Sequence, residues 1–276
     1  MKLKDHFLTQ EEFELKENTF GILETIPRLK VEDLAKYYQS ENYISHTDST
    51  KSVFDWIYQK AKNINLENKK RLIKKYKTSG EVLDYGCGTG DFIHYIKQDF
   101  NVQGIEPSEY AAEKAQKKSS LKITTNTDLS KFKDNTFDMI TLWHVFEHVH
   151  DLKNISIELN RILKNDGFLV IAVPNHKSYD AQYYQNFWAA YDVPRHLWHF
   201  SKTAMKKWWI QFEMQIIDIS FMKLDAFYIS VLSEQYRNKT IFNFIKGIFR
   251  GFLSNQKAKK TGEYSSLVYI LKKNLK

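Results

Sequence analysis

The chain has 276 residues, of which 42% are hydrophobic and 27% charged, a composition that fits one sizeable α/β domain with additions. No apolar run is long enough to cross a bilayer, and residues 1–15 lack the apolar core of a secretory signal, so we expect a cytoplasmic protein. The single cysteine, Cys87, excludes an intramolecular disulfide, and the net charge of +8 is spread along the chain as on a solvated surface.

The N-terminal part, residues 1–70, is predicted to be an appendage that packs on a core domain. Short apolar pieces at residues 13–15 and 20–23 favour a small hairpin, and residues 31–38 and 51–76 show the apolar spacing of helices. Because this part contains no cysteine, we predict no metal there. Four of its side chains are candidates for lining the mouth of a ligand site: Tyr37, Tyr38, Tyr43 and His46.

From residue 81 onward, short apolar runs alternate with amphipathic segments, which indicates a parallel sheet with crossover helices. Strands are predicted at residues 82–85, 102–106, 121–125, 137–143, 168–173, 215–221 and 266–272. Helices are predicted at residues 91–98, 108–118, 152–163 and 202–211. The last two strands can form an antiparallel edge. We therefore predict an α/β fold over residues 71–276, with a Rossmann-like, doubly wound sheet of seven mostly parallel strands.

A glycine-rich turn follows the first of these strands. Gly86, Gly88 and Gly90 have the spacing G-x-G-x-G, and glycine permits the sharp turn and the close approach of a ligand to the backbone. The dinucleotide fingerprint is G-x-G-x-x-G, so the shorter loop favours a ligand without a pyrophosphate. Glu106 ends the next strand, where a carboxylate can accept hydrogen bonds from ribose hydroxyls. A solvated turn acid is the alternative interpretation of Glu106.

Three motifs appear in a fixed order along this region. Residues 84–90, 104–108 and 135–140 resemble the successive motifs of class I S-adenosylmethionine-dependent methyltransferases. Residues 147–149 and 163–174 resemble the ubiquinone-biosynthesis-like branch of that superfamily. Residues 192–201 resemble a segment of a bacterial subgroup of methyltransferases, in which many members have no assigned substrate. The resemblance covers roughly residues 72–272. It implies S-adenosylmethionine as cofactor, S-adenosylhomocysteine as product, and methyl transfer as the reaction.

The resemblance also implies roles for individual residues. Asp84 and the loop Gly86, Cys87, Gly88 and Gly90 would hold the methionine part, and Glu106 the ribose. For the adenine amine we choose Asp128, although Asn126 fits nearly as well. Leu142, Trp143 and His144 would lie beside the sulfonium. We interpret Cys87 as a packing residue within the loop and not as a nucleophile, because no activating base is evident.

The string His144-Val145-Phe146-Glu147-His148 matches the H-x-x-E-H pattern of one class of zinc peptidases. It begins where the fourth strand ends, so its residues should straddle a strand-to-loop junction and not share a helix. We therefore interpret the match as coincidental and predict no metal. The loop borders the expected acceptor site, which makes His144 and His148 candidates for a general base. Histidines satisfied by loop carbonyls are the alternative.

Two insertions are predicted, at residues 175–200 and 222–262. The first is rich in aromatic and histidine side chains and is either a substrate lid or a small satellite core. Its candidate substrate residues are Tyr184, Trp188, Arg195, His196 and His199. Arg195 could pair either with an acidic group of the substrate or with Asp192. In the second, residues 241–253 alternate apolar and basic side chains, a pattern that suits an anionic membrane, a partner, or a core face.

The predicted function is methylation of a small-molecule acceptor on oxygen, with a sugar, a lipid-linked intermediate or a quinone-like compound as candidates. An RNA methyltransferase is favoured only by the basic charge, so no nucleic-acid partner is expected. A nicotinamide-dependent oxidoreductase is opposed by the loop spacing. A protein that binds the cofactor without catalysis is the remaining alternative.

Overall fold

The computed structural model describes residues 1–38, 53–238 and 240–274. The strands are β1 (Lys2–Lys4), β2 (Glu12–Glu17), β3 (Leu23–Ile26), β4 (Glu81–Tyr85), β5 (Asn101–Ile105), β6 (Ile123–Thr124), β7 (Phe137–Trp143), β8 (Leu163–Pro174), β9 (Trp198–His199), β10 (Met214–Phe221) and β11 (Ser266–Lys273). The helices are α1 (Val31–Tyr38), α2 (Val53–Lys74), α3 (Asp91–Ile96), α4 (Glu109–Ser119), α5 (Leu152–Ile162), α6 (Tyr179–Tyr184), α7 (Lys202–Ile210), α8 (Asp225–Arg237) and α9 (Asn243–Thr261).

The main sheet has seven strands within the described ranges, in the order β10-β11-β8-β7-β4-β5-β6. The pairs from β8 to β6 are parallel, whereas β11 runs antiparallel to both β8 and β10. This confirms the predicted α/β fold and the antiparallel pairing of the last two strands. The carboxyl ends of β4, β5 and β7 therefore meet at one edge of the sheet, the usual place for a ligand.

Alternate residues along the central strands enter two different hydrophobic cores. Leu83 and Ile140 belong to one core with α5 and α7, and Val82 and Met139 belong to the other with α2, α3 and α4. Helices thus cover both faces of the sheet, which is why these strands read as continuous apolar runs.

Polar side chains begin several of these helices. Ser108, Asp151 and Ser201 each accept a hydrogen bond from a backbone N–H in the first turn of α4, α5 and α7. Such caps stabilise a helix start by about 1 kcal/mol. They place the helix starts within one residue of the predicted ones.

A second, smaller sheet joins distant parts of the chain. Within the described residues its order is β1-β2-β3-β9, so the N-terminal hairpin pairs with a strand of the first insertion. The hairpin was predicted, but its pairing with β9 was not, because nothing local encodes a contact between Leu23 and His199. The division of the chain at residue 70 stays a prediction.

Strand β8 begins at Leu163, five residues before its predicted start, and its pairing with β7 shifts register between Phe137 and Met139. The polar turn residues after Leu163 had suggested a loop, yet they form an irregular extension of the strand. In the described part of the chain, no helix combines the length and apolarity needed to span a bilayer.

Candidate functional site

The glycine loop after β4 forms a turn that side chains would obstruct. Gly86 has φ of +79°, and a Cβ there would lie 2.4 Å from Cγ2 of Val145. Gly90 has φ of +82°, and its Cβ would lie 2.7 Å from the backbone of Ala115. At Gly88, by contrast, a Cβ would meet nothing within 4 Å. Gly86 and Gly90 are thus required by packing, whereas Gly88 faces open space.

Asp84 is the buried acid of β4 and lies directly below this turn. Its Oδ1 accepts a hydrogen bond of 2.6 Å from the hydroxyl of Thr141 on β7. Burial raises the pKa of Asp84 to about 6, although the hydrogen bond from Thr141 and the charge of Lys69 act in the opposite direction. A ligand that donates hydrogen bonds to this carboxylate would therefore stabilise its charged form.

Glu106 directly follows β5, beside the glycine loop. Its two oxygens accept backbone hydrogen bonds from Gly88, at 2.9 Å, and from Ser108, at 3.0 Å. Burial raises the pKa of Glu106, and these two hydrogen bonds partly offset that effect. Glu106, the residue predicted to bind the ribose, is thus held against the glycine loop by the hydrogen bond from Gly88.

A cavity of about 530 Å³ opens at this edge of the sheet, within the size range of sites for drug-sized ligands. Its walls include Asp84, the loop from Gly86 to Thr89, Trp143, and one face of α2. Trp143 Nε1 is buried without a hydrogen-bond partner among the described residues, and Lys69 Nζ lies 4.5 Å from the centre of a Trp143 ring. A glycine cradle, a buried acid and a half-buried lysine suit a zwitterionic ligand such as an amino-acid derivative.

Of the other residues assigned to the cofactor, Cys87 lines this cavity, whereas Asp128 and Leu142 do not. Asp128 is exposed, and its Oδ1 accepts a hydrogen bond of 2.9 Å from the backbone of Ser130, while Asn126 is exposed beside it. Leu142 is fully buried in the core and does not line the cavity. Cys87 lines the cavity, but burial raises the pKa of its thiol, which opposes a role as nucleophile.

A second cavity, of about 840 Å³, adjoins the first. The two share the wall residues Asn65, Lys69, Asp225 and Tyr228. Most of the remaining wall is apolar and comes from the two insertions, with His144, Glu147, Asp192 and His196 as its polar members. We call the first space the cofactor cavity and the second the acceptor cavity, after the ligands that the sequence resemblance leads us to expect there.

His144 stands at the junction between the two cavities, just after β7, with φ of +58°. Its Nε2 lies 3.0 Å from Oδ2 of Asp225, and its Nδ1 lies 3.4 Å from Oε1 of Glu147. Burial would lower the pKa of His144, but these two carboxylates raise it to about 9. The ring is therefore a cation at neutral pH, which opposes the predicted role of general base.

The H-x-x-E-H residues do not share a helix, as predicted. The chain after Trp143 forms a bend and a turn, and the backbone carbonyl of Glu147 accepts a hydrogen bond of 2.8 Å from Leu197. Burial lowers the pKa of His148 to about 4, with the neighbouring His196 acting in the same direction. His148 does not line the acceptor cavity, so its role as base stays a prediction.

Of the five candidate substrate residues in the first insertion, only His196 lines the acceptor cavity. The others make structural contacts: Tyr184 with Glu234, Trp188 with Asp180, Arg195 with Asp192 and Asp5, and His199 with Thr25. Tyr184 and Trp188 pack in a third hydrophobic core with the N-terminal sheet. The insertion thus forms the satellite core, and it also supplies part of the cavity wall.

The N-terminal candidates are placed only in part. Tyr37 is buried, and its hydroxyl donates to Glu11, away from both cavities. The side chain of Tyr38 and the residues Tyr43 and His46 lie outside the described residues.

The sequence interpretation missed the contribution of α2 and α8. Asn65 and Lys69 on α2, and Asp225 and Tyr228 on α8, form the wall shared by the two cavities. The spacing of Lys62, Asn65 and Lys69 places polar side chains on one face of a helix that was expected to pack on the core. That polar face was the sequence feature that could have indicated a cavity wall on α2.

The comparisons with known proteins agree with this geometry. A sequence profile described as a methyltransferase domain matches residues 56–219, more than half of the chain. The chain therefore belongs to the methyltransferase-domain family. Membership of this family favours methyl transfer over the alternative of a nicotinamide-dependent oxidoreductase.

Curated relatives match over part of their length. An uncharacterized protein of Methanocaldococcus jannaschii is 40% identical over 109 residues, 39% of this chain and 47% of that protein. The 2-methyl-6-phytyl-1,4-hydroquinone methyltransferase of Synechocystis is 32% identical over 114 residues, 39% of this chain and 36% of that protein. The chain thus spans less than half the length of each of these relatives.

Among solved structures, the geranyl diphosphate C-methyltransferase of Streptomyces coelicolor has a similar fold, with a TM-score of 0.57 and 13% identity. The match covers 88% of this chain and 97% of that one. At this identity the likeness supports the fold alone.

Proposed function

We propose that this protein transfers the methyl group of S-adenosylmethionine to an oxygen of a small, partly apolar acceptor held in the acceptor cavity. The observation that carries the proposal is the wall shared by the two cavities, with Lys69, Asp225 and Tyr228 facing both. A volume of about 840 Å³ suits a small molecule. An RNA strand would need an open basic groove instead.

When bound, S-adenosylmethionine supplies an electrophilic methyl group on sulfur. For this chain we propose that Lys69 pairs with the carboxylate of the cofactor and that Asp84 accepts a hydrogen bond from its amino group. Glu106 would exchange its hydrogen bond from Gly88 for the ribose hydroxyls. The adenine contact of Asp128, or of Asn126 in its place, stays a prediction.

Transfer of a methyl group needs alignment of the acceptor atom, and it needs a base only if that atom carries a proton. Because His144 is held as a cation by two carboxylates, we propose that its positive charge attracts an acceptor oxygen and so helps to orient it. Exclusion of water by the apolar wall of α8 would strengthen that attraction.

A quinone-like acceptor is the candidate that the relatives support best. The Synechocystis relative acts on a hydroquinone by its name, and a demethylmenaquinone methyltransferase of Thermotoga maritima is 31% identical over 112 residues. The cavity combines apolar walls with a few charged groups, which suits a hydroxylated ring with an apolar substituent.

The test is to label cells with isotopic methionine and to compare a deletion strain with strains that carry defined variants. Wild-type protein should restore a methylated small molecule that the deletion strain lacks. Leu232→Trp, which fills the acceptor cavity, should reduce it at least tenfold, whereas Ile157→Trp on an exposed site of α5 should not. Label that is lost from the RNA fraction instead would contradict a small-molecule acceptor.

A further inference from the structure

One buried carboxylate in the wall of the acceptor cavity has only part of its charge compensated. Both oxygens of Glu147 are buried and accept no hydrogen bond from the described part of the chain. Burying a carboxylate in this way costs several kcal/mol unless a cation or hydrogen-bond donors compensate. His144, at 3.4 Å, compensates one oxygen only in part, because it is also bound to Asp225.

Two histidines bring nitrogen atoms to the same place. Nδ1 of His148 lies 3.0 Å from the carbonyl oxygen of Arg195, and Nδ1 of His196 lies 2.9 Å from that of Ala190. A carbonyl can only accept, so each Nδ1 must be the donor and each Nε2 carries the lone pair of the neutral ring. A backbone carbonyl that orients a histidine through one nitrogen is the usual support of a metal ligand.

The ligand atoms of Glu147, His148 and His196 all lie within 4.8 Å of one another. Two ligands of a tetrahedral ion are about 3.4 Å apart, since each bond is about 2.1 Å long. Rotations that shorten the widest separation by at most about 1.4 Å would therefore suffice. Asp192 Oδ2, at 3.9 Å from His196 Nε2, adds negative charge beside the group.

We propose that Glu147, His148 and His196 form a binding site for a divalent first-row transition-metal ion, with Zn²⁺ as the representative probe. Two imidazoles and one carboxylate prefer such ions over Mg²⁺ or Ca²⁺. His196 comes from the first insertion and replaces His144, on which the zinc-peptidase pattern depends. At this loop, the expectation of no metal considered only the pair His144 and His148.

The site deepens the proposed function, on which its role in catalysis rests. Glu147 and His196 also line the acceptor cavity, so an ion held there would leave positions for an oxygen of the acceptor. The ion would orient that oxygen and lower the pKa of its hydroxyl, whose proton would pass to water before the oxygen takes the methyl group from the cofactor sulfur. Acceptors with a hydroxyl group, or with two adjacent ones, are the class that such a site would recognise.

The experiment is calorimetric titration of chelator-treated, full-length protein with Zn²⁺, Mn²⁺ and Mg²⁺, followed by metal analysis after dialysis. We expect one Zn²⁺ per chain and little Mg²⁺. Glu147→Gln and His196→Gln should each weaken Zn²⁺ binding at least tenfold, and His94→Gln, at an exposed histidine of α3, should not change it. Co²⁺ should give the visible absorption of a protein-bound ion in wild-type protein and lose it in both variants.

Absence of stoichiometric Zn²⁺ from wild-type protein would overturn the inference, as would equal binding by all three variants. Calorimetry with S-adenosylmethionine on the same samples separates this failure from failure of the proposed function. Protein that binds the cofactor but no metal contradicts only the metal site. Protein that binds metal but no cofactor contradicts the proposed function.

A different observation, on α9, carries a second inference. The residues of α9 that pack on α8 are small: Gly247 and Gly251 approach the backbone of Val231 and Phe227 so closely that a Cβ would lie within 2.7 Å of it. The large apolar side chains of α9 and of the two residues before it are exposed instead: Ile241, Phe242, Phe244, Ile245, Ile248, Phe249 and Phe252. An ordinary surface helix has the opposite arrangement.

Charge indicates what covers this apolar face. Residues 235–262 contain seven lysines and arginines and no acid, and Lys246, Lys257, Lys259 and Lys260 are exposed along α9. An apolar helix face flanked by basic side chains suits an anionic membrane surface. We infer that α9 docks on such a membrane. Because α8 lines the acceptor cavity and packs against α9, docking would bring that cavity close to an acceptor dissolved in lipid.

The test is co-sedimentation with vesicles of phosphatidylcholine alone or mixed with phosphatidylglycerol, at low and high salt. Wild-type protein should pellet with the anionic vesicles, and less so at high salt. The double variant Phe249→Glu with Phe252→Glu should bind the anionic vesicles at least tenfold more weakly. Ile210→Glu, at a similarly exposed site on α7, should bind them as wild-type protein does. No pelleting at low salt would overturn the inference, and so would a dimer that the double variant abolishes.

Discussion

Nε2 of His144, just after β7, lies 3.0 Å from Oδ2 of Asp225, the first residue of α8. This contact ties the end of the central sheet to the second insertion, at the wall that the two cavities share. The position of α8, and with it the shape of both cavities, therefore depends on a charge pair that is mostly buried.

Asp225→Asn should destabilise the protein by about 1–2 kcal/mol, because it leaves the His144 cation with only Glu147 as partner. Asp134→Asn, which removes an exposed partner of Arg161, should cost less than about 0.5 kcal/mol. Urea unfolding without ligand measures both. Equal losses in the two variants would show that the contact between β7 and α8 has no special role.

The variants Gly86→Ala and Gly88→Ala distinguish the role of the glycine loop in packing from its role in ligand binding. Both positions have positive φ, which costs an alanine about 1 kcal/mol, but only at Gly86 does the new Cβ collide with Val145. Gly86→Ala should therefore lose roughly 2 kcal/mol more stability than Gly88→Ala. Gly88→Ala should chiefly weaken cofactor binding. Thermal unfolding and calorimetry check the two effects, and a reversed order of stabilities would contradict the packing argument.

Asp84 should make the unliganded protein less stable as the pH rises. Its pKa is raised to about 6 in the folded state, above the usual value near 4, so the unfolded chain binds fewer protons between these values. The stabilisation is complete below pH 4 and is lost as the pH passes 6, with an upper limit of about 3 kcal/mol.

Asp84→Asn should remove this pH dependence. Compared with wild-type protein, the variant should gain relative stability between pH 4 and pH 7, while binding the cofactor less well. Unfolding curves measured across this range provide the check. If the free energies of unfolding of wild-type protein and Asp84→Asn change with pH in the same way, the raised pKa of Asp84 is contradicted.

Lys69→Gln should weaken binding of S-adenosylmethionine about tenfold, or about 1.4 kcal/mol, because it removes the proposed partner of the cofactor carboxylate. Lys70→Gln is the matched control, since Lys70 pairs with Asp99 and does not line the cofactor cavity. Calorimetry gives both affinities. If Lys70→Gln has the larger effect, the assignment of Lys69 is wrong.

The sequence could predict the features that depend on local patterns. The seven strands of the main sheet and the four helices that were predicted from residue 81 onward follow from apolar periodicity. The glycine loop was found because a ligand-binding turn needs glycines at fixed spacing, whereas Asp84 and Trp143 were chosen from the resemblance to a known family. These features line the cofactor cavity in the structure.

The contacts between distant segments could not be predicted. Lys69 and Asp225 are 156 positions apart in the chain, yet they share one cavity wall, and no local pattern encodes this. His196 was chosen as a substrate residue, but its place beside Glu147 and His148 depends on the backbone contact between Glu147 and Leu197. Arg195 and Trp188 were expected at the substrate and instead stabilise the insertion, because aromatic and charged side chains serve both purposes.

The central claim is that the cavity at the carboxyl end of β4 binds S-adenosylmethionine. Calorimetric titration of the purified, full-length protein with this compound and with S-adenosylhomocysteine tests it most directly. We predict one site per chain for each compound, weakened by Gly88→Ala and by Lys69→Gln but not by Lys70→Gln. Absence of a binding heat together with an unchanged melting temperature for both compounds would contradict the claim.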